Sequence, residues 1–95
     1  MSVLSLEQYS VAAGSRTDFE PLLAELLTVM RTQPGLLWAD GGRTEDETAY
    51  VLLSEWRSQA DLDAWQKTPA SRDWEQATDP LLTGDGTRRR FSPSA

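Results

Sequence analysis

The chain reads as an α+β fold, a four-stranded antiparallel sheet with its helices gathered on one face in split β-α-β order. Three observations carry that expectation. Apolar periodicity gives the order strand, long helix, strand, strand, two short helices, strand. The long helix has a single apolar stripe, so it covers one layer. The strands are apolar on both sides, so the sheet needs cover on two faces while the helices suffice for one.

The first strand covers residues 3–11, with Val3, Ser5, Glu7, Tyr9 and Val11 on one side and Leu4, Leu6, Gln8 and Ser10 on the other. Residues 12–16 end it, and Thr17 or Asp18 stands where a helix cap belongs, with Pro21 tolerated in the first turn. Along that helix Phe19, Leu22, Leu23, Leu26, Leu27 and Met30 recur at helical spacing. Gln33, Pro34 and Gly35 stop it, because proline disfavours helical geometry in the residue before it and glycine accepts a positive φ.

Residues 36–39 form a short apolar strand, 40–47 a polar hairpin loop and 48–56 the clearest strand of the chain. On that strand Tyr50, Leu52, Ser54 and Trp56 face one way, and Ala49, Val51, Leu53 and Glu55 the other. Ser58 and Asp61 make a capping pair for a short helix carrying Leu62 and Trp65. Thr68 and Pro69 break it and open another, with Ala70, Trp74, Ala77 and Leu81 on one stripe. Gly84, Asp85 and Gly86 read as a turn, residues 87–91 as the last strand and 92–95 as a loose tail. The uncovered sheet face, with Leu4, Leu6, Val51 and Leu53, predicts a homodimer, for which a standard interface removes about 800 Å² per partner.

Ninety-five residues with a net charge of -6 give room for one core and a surface that repels phosphate backbones and anionic headgroups. Nucleic acid and membrane are therefore not expected partners. Cysteine and histidine are both missing, which removes thiolate nucleophiles, imidazole bases and the usual zinc and haem ligands. No metal site is expected. With no basic and apolar leader and no run of about twenty apolar residues, the expectation is a soluble, cytoplasmic protein.

Four tryptophans are a heavy load for so short a chain, and together they suit an aromatic-walled cavity for a flat hydrophobic small molecule. Trp56 offers an indole N–H to a developing oxyanion. Tyr50 and Ser54 share its face, so a phenol, a hydroxyl and an indole converge there. Trp38, Trp65 and Trp74 supply walls, and Tyr9 occupies a comparable place on the first strand. Arg88 and Arg90 alternate onto one face, Arg89 onto the other, and a guanidinium in the cavity would lower the pKa of a phenol. Each of these residues also has a plain reading as packing or as a solvated strand edge.

The Pro34-Gly35 break, the strand Tyr50-Val-Leu-Leu-Ser-Glu-Trp56 and the following Arg57-Ser-Gln-Ala-Asp-Leu-Asp-Ala-Trp65 resemble the antibiotic biosynthesis monooxygenase family. The resemblance implies one such domain over residues 1–95, with a ferredoxin-like fold paired into a dimeric α/β barrel. It implies cofactor-independent oxygenation of an aromatic polyketide or similar polycyclic phenol, in which the ionised substrate itself passes an electron to oxygen. Trp56 matches the family's strand tryptophan and, with Tyr50, is the catalytic candidate. Tyr9, Trp38, Leu52, Ser54, Trp65, Trp74, Arg88 and Arg90 are the substrate-binding candidates. Leu52 stands where these oxygenases place an asparagine, which removes a polar group expected to hold the substrate oxyanion. A cyclase or isomerase of the same fold, or a non-catalytic small-molecule-binding dimer, are the alternatives.

Overall fold

A computed structural model describes residues 1–47, 49–84 and 86–93. The elements are β1 (Val3–Tyr9), α1 (Arg16–Met30), β2 (Leu36–Arg43), β3 (Tyr50–Trp56), α2 (Gln59–Gln66), α3 (Pro69–Thr78) and β4 (Thr87–Phe91), with 3₁₀ turns at Ala13–Ser15 and Asp79–Leu81. The strands lie in the order β2-β3-β1-β4 and every neighbouring pair is antiparallel. This is the ferredoxin-like α+β architecture.

Strand period decides where each side chain goes. Val3, Ser5, Glu7 and Tyr9 of β1 and Tyr50, Leu52, Ser54 and Trp56 of β3 all point to the helix side and are buried. Their cross-strand partners match row by row: Ser5 with Ser54, Glu7 with Leu52, Tyr9 with Tyr50. From α1, Phe19, Leu23, Leu26, Leu27 and Met30 close over them. Each such side chain contributes about 1.5–3 kcal/mol by leaving water. On the opposite face Leu4, Leu6, Val51 and Leu53 are half-buried, while Trp38 and Phe91 are 43% and 46% exposed.

The caps of α2 and α3 form as their sequences dictate. Ser58 accepts from the Asp61 N–H at 3.2 Å, and Thr68 accepts from the Ser71 N–H at 3.2 Å. Gly35, at φ +84°, turns the chain between α1 and β2 with the Asp61 carboxylate packed against it, so a side chain there meets both strain and a clash.

Several boundaries differ from the sequence expectation. β2 runs on through Gly41 and Gly42 to Arg43, so the hairpin turn is confined to residues near Thr44–Glu47. Gly41 belongs in the ladder because a β-carbon there would stand 2.9 Å from the Val51 carbonyl and 3.4 Å from Leu23. Gly41 therefore serves close packing rather than a turn, while a β-carbon at Gly42 would meet open space. Helix α1 starts at Arg16, with Ser15 at its N-cap position and no side-chain cap from Thr17 or Asp18. Pro21 consequently sits inside the helix, where it has no N–H to give the Thr17 carbonyl. β1 ends at Tyr9, and Val11 keeps an isolated bridge to Leu82. The expected strand start at Thr48, the Asp85 of the expected turn, and Ser94 and Ala95 of the tail lie outside the described residues.

Candidate functional site

The buried face of the sheet carries polar groups at two ends. At the first, Trp56 is 0% exposed and its Nε1 donates to Ser54 Oγ at 2.9 Å. Trp65, aimed inward by the capped start of α2, stacks on it with ring centroids 6.2 Å apart and planes inclined by 20°. The open hollow expected around Trp56 is thus filled by a neighbouring indole. Ser5, the partner of Ser54 across the ladder, is 1% exposed, and its Oγ has no hydrogen-bond partner among the described residues. Arg90 lies opposite Ser5 in register but is drawn to α2, where Nη1 donates to Asp63 at 2.6 Å and Nη2 to Gln66 at 2.7 Å.

At the second end a buried carboxylate organises the groups around it. Glu7 Oε1 accepts from the Tyr9 hydroxyl at 2.8 Å and from Arg88 Nε at 3.0 Å. Arg88 Nη2 reaches on to Glu75 of α3 at 3.1 Å, and Trp74 Nε1 donates to the Tyr9 oxygen at 3.3 Å. Burial and the adjacent Glu7 charge push the Tyr9 phenol far above its ordinary range, so it stays a proton donor. Burial alone would weaken the charge on Arg88, but Glu7 and Glu75 outweigh it and hold the guanidinium more firmly protonated. A cavity of about 270 Å³ opens here, lined by Glu7, Tyr9, Leu82, Gly86, Thr87 and Arg88. Trp74 also borders a second, apolar groove of about 310 Å³ between α1 and α3.

The remaining predicted residues separate. Tyr50 is buried against Phe19, and its hydroxyl donates to Glu20 at 2.6 Å, beside Arg43. It therefore does not converge with Ser54 and Trp56 on one oxygen. Leu52, 1% exposed, separates the two polar ends. Trp38 corrects the expectation most sharply: a bulge after Leu36 turns it to the uncovered face, where Nε1 donates to Glu55 at 2.8 Å. It lines no wall under the helices.

Sequence reading missed Glu7, Glu75 and Ser5. The first two pass for surface charge, although Glu7 occupies an inward position of an alternating strand, where an unpaired acid is rarely tolerated. That placement was the available signal. Among the described residues no cluster of carboxylates is placed to hold a metal ion, and no helix is long and apolar enough to cross a membrane.

A model of the antibiotic biosynthesis monooxygenase family matches residues 3–77, from the first strand through α3. The chain belongs to that family. Comparison with curated proteins finds no sequence match. Among solved structures, Rv0793 from Mycobacterium tuberculosis superposes with a TM-score of 0.94 at 21% identity, covering 100% of this chain and 97% of that one. A conserved protein from Methanosarcina mazei Go1 gives 0.91 at 12% identity, covering 96% and 91%. SnoaB, a cofactor-independent oxygenase from Streptomyces nogalater, gives 0.86 at 20% identity, covering 99% and 94%. At these identities the likeness establishes the fold. The family match stops before β4, so Arg88 and Arg90 lie outside it.

Proposed function

We propose that this family member is a cofactor-independent monooxygenase acting on an aromatic polyketide or similar polycyclic phenol. The observation that carries the reading is the Trp56 indole, buried with its N–H on an uncharged hydroxyl acceptor that a substrate oxygen can replace. Ser54, thereby released, and the unpartnered Ser5 would add two further hydroxyls beside the same oxygen. Entry at Trp56 requires the layer between the sheet and α2 to part. The rows of Trp56 and Glu7 are four residue steps apart along the strand, about 13 Å at the usual rise, so a molecule of several fused rings would span both polar ends.

In the overall reaction the phenol loses its hydroxyl hydrogen and the hydrogen of one ring carbon, that carbon takes one oxygen atom to give a quinone, and the second oxygen atom leaves with the two hydrogens as water. The substrate supplies the electrons. The protein's part is to hold the ring, exclude water and stabilise negative charge as it forms. Tyr50, committed to Glu20, serves as wall rather than as donor in this account. Oxygen uptake with anthrone in metal-free buffer, followed by the label from isotopic oxygen gas in the product, tests the proposal. A folded sample that binds anthrone and consumes no oxygen rejects it.

Leu52 favours the second reading, a cyclase or isomerase, since it leaves an apolar group where family oxygenases carry an amide. A converted product of unchanged mass would select it, and binding without conversion would select a non-catalytic binding module.

A second copy of the chain is the proposed cover for the outer sheet face. Leu4, Leu6, Val51, Leu53, Trp38 and Phe91 share that side in one register, a contiguous apolar area that monomers seldom expose. Sedimentation should give twice the chain mass, and Leu53→Lys should shift it to one. The proposed setting is the cytoplasm, where a cysteine-free chain has no need of disulfides.

A further inference from the structure

We infer that Glu7 accepts the hydroxyl proton of a neutral hydroxylated aromatic molecule seated in the cavity between β1 and β4, with Arg88 as the partner of the oxyanion that forms. This deepens the oxygenase reading, on which it rests, by naming the group that receives the substrate's proton.

The carboxylate is bound asymmetrically. Oε1 takes both the Tyr9 hydroxyl and Arg88 Nε, while no described residue gives a hydrogen bond to Oε2. The Glu7 side chain is 11% exposed and lines a cavity of about 270 Å³. Ser5 Oγ, not Glu7 Oε2, is the buried side-chain oxygen without a partner among the described residues, so Oε2 keeps access to solvent. Because Glu7 lines the cavity, that open oxygen is free to accept a proton from a molecule seated there. Tyr9 does not compete for it: its oxygen accepts from Trp74 and its proton is spent on Oε1.

The charge balance selects the ligand. Facing Glu7 are Tyr9 on its own strand, Arg88 on β4 and, through Arg88, Glu75 on α3. With both acids ionised, one guanidinium stands between two carboxylates, so an anionic ligand is repelled. A neutral hydroxyl donor is accepted. When the O–H bond breaks, its proton goes to Oε2 and its electron pair stays on the substrate oxygen. The net charge of the group is unchanged, and Arg88 exchanges one anionic neighbour for another. The phenolate is then the species that gives an electron to dioxygen, and the proton from Glu7 leaves in water together with one oxygen atom and the hydrogen lost by the oxygenated ring carbon.

The test reads the ionisation of bound 4-nitrophenol by its absorbance across pH, in wild-type protein, Glu7→Gln and Tyr9→Phe. The wild type should hold a fraction of bound phenolate that does not change between about pH 5 and pH 7, because the proton passes to Glu7 inside the site and none is released. Glu7→Gln has no internal acceptor, so its bound phenolate should fall about tenfold for each unit of pH below the apparent pKa. Tyr9→Phe keeps the carboxylate and should keep the pH-independent fraction. A wild type that binds no nitrophenol, or whose bound phenolate titrates with pH as in Glu7→Gln, overturns the inference. Oxygen uptake is scored separately. Uptake without the signature removes Glu7 and leaves the oxygenase, whereas the signature without uptake keeps the Glu7 site and removes the oxygenase.

Discussion

The two ends of the buried sheet face are made from the same strands and covered by the same helical layer, yet they have opposite characters. At the Trp56 end, two indoles and two serine hydroxyls are sealed from water, with no ion among the groups hydrogen-bonded there. At the Glu7 end, an acid, a phenol, an indole and a guanidinium border a cavity. What differs is the layer above. Over Trp56, α2 presents a large flat ring; over Glu7, α3 presents Trp74 edge-on to Tyr9 at 5.8 Å and leaves a gap beside it. Packing thus decides which polar groups are stored dry and which stay within reach of a small molecule.

Truncation at the sealed end should do the most damage. Trp56→Ala empties a fully enclosed site and should lower unfolding free energy by about 3–5 kcal/mol in denaturant titration. A loss below 1 kcal/mol would mean that the end is not sealed. At the wet end, Arg88→Ala leaves Glu7 without its counter-charge and should cost about 1–3 kcal/mol, reduced toward the lower figure by the 43% exposure of Arg88. Arg90→Ala, whose partner Asp63 is 49% exposed, should cost under about 1 kcal/mol. Equal losses for the two arginines would erase the contrast between a buried acid and a solvated one.

Ser5→Ala sharpens the comparison from the dry side. Removing a buried hydroxyl that has no partner among the described residues should raise stability by about 1 kcal/mol. A fall instead would reveal an ordered water serving that oxygen. The smallest effect concerns pH. Tyr9 holds its proton more tightly in the folded chain than its ordinary pKa of 10.0, so its contribution is complete below pH 10 and is lost as the pH rises further. Thermal melts between pH 9 and about 11 should therefore fall more steeply for the wild type than for Tyr9→Phe.

The layer order, both strand faces and the caps at Ser58 and Thr68 were legible because each rests on a local period or a local hydrogen bond. Gly41 and Gly42 were not. A glycine pair reads as a turn, and only the approach of the Val51 carbonyl shows why one was needed within a strand. Trp38 was misplaced for a similar reason, since the bulge after Leu36 changes which residues alternate. The pairing of Glu7 with Arg88 spans 81 residues, a separation at which no sequence period operates. Once strand order is known, register alone would have found it, because the two are direct neighbours across β1 and β4.

Trp38 stands apart from the other three indoles, and that separation has a spectroscopic consequence. It is 43% exposed and hydrogen-bonded to a carboxylate, whereas Trp56, Trp65 and Trp74 lie under the helices. Emission from the protein should then contain one red component that belongs to the bare side of the sheet alone. On dilution, the proposed pairing of two chains can be tested through that one ring, with the buried indoles as an internal standard.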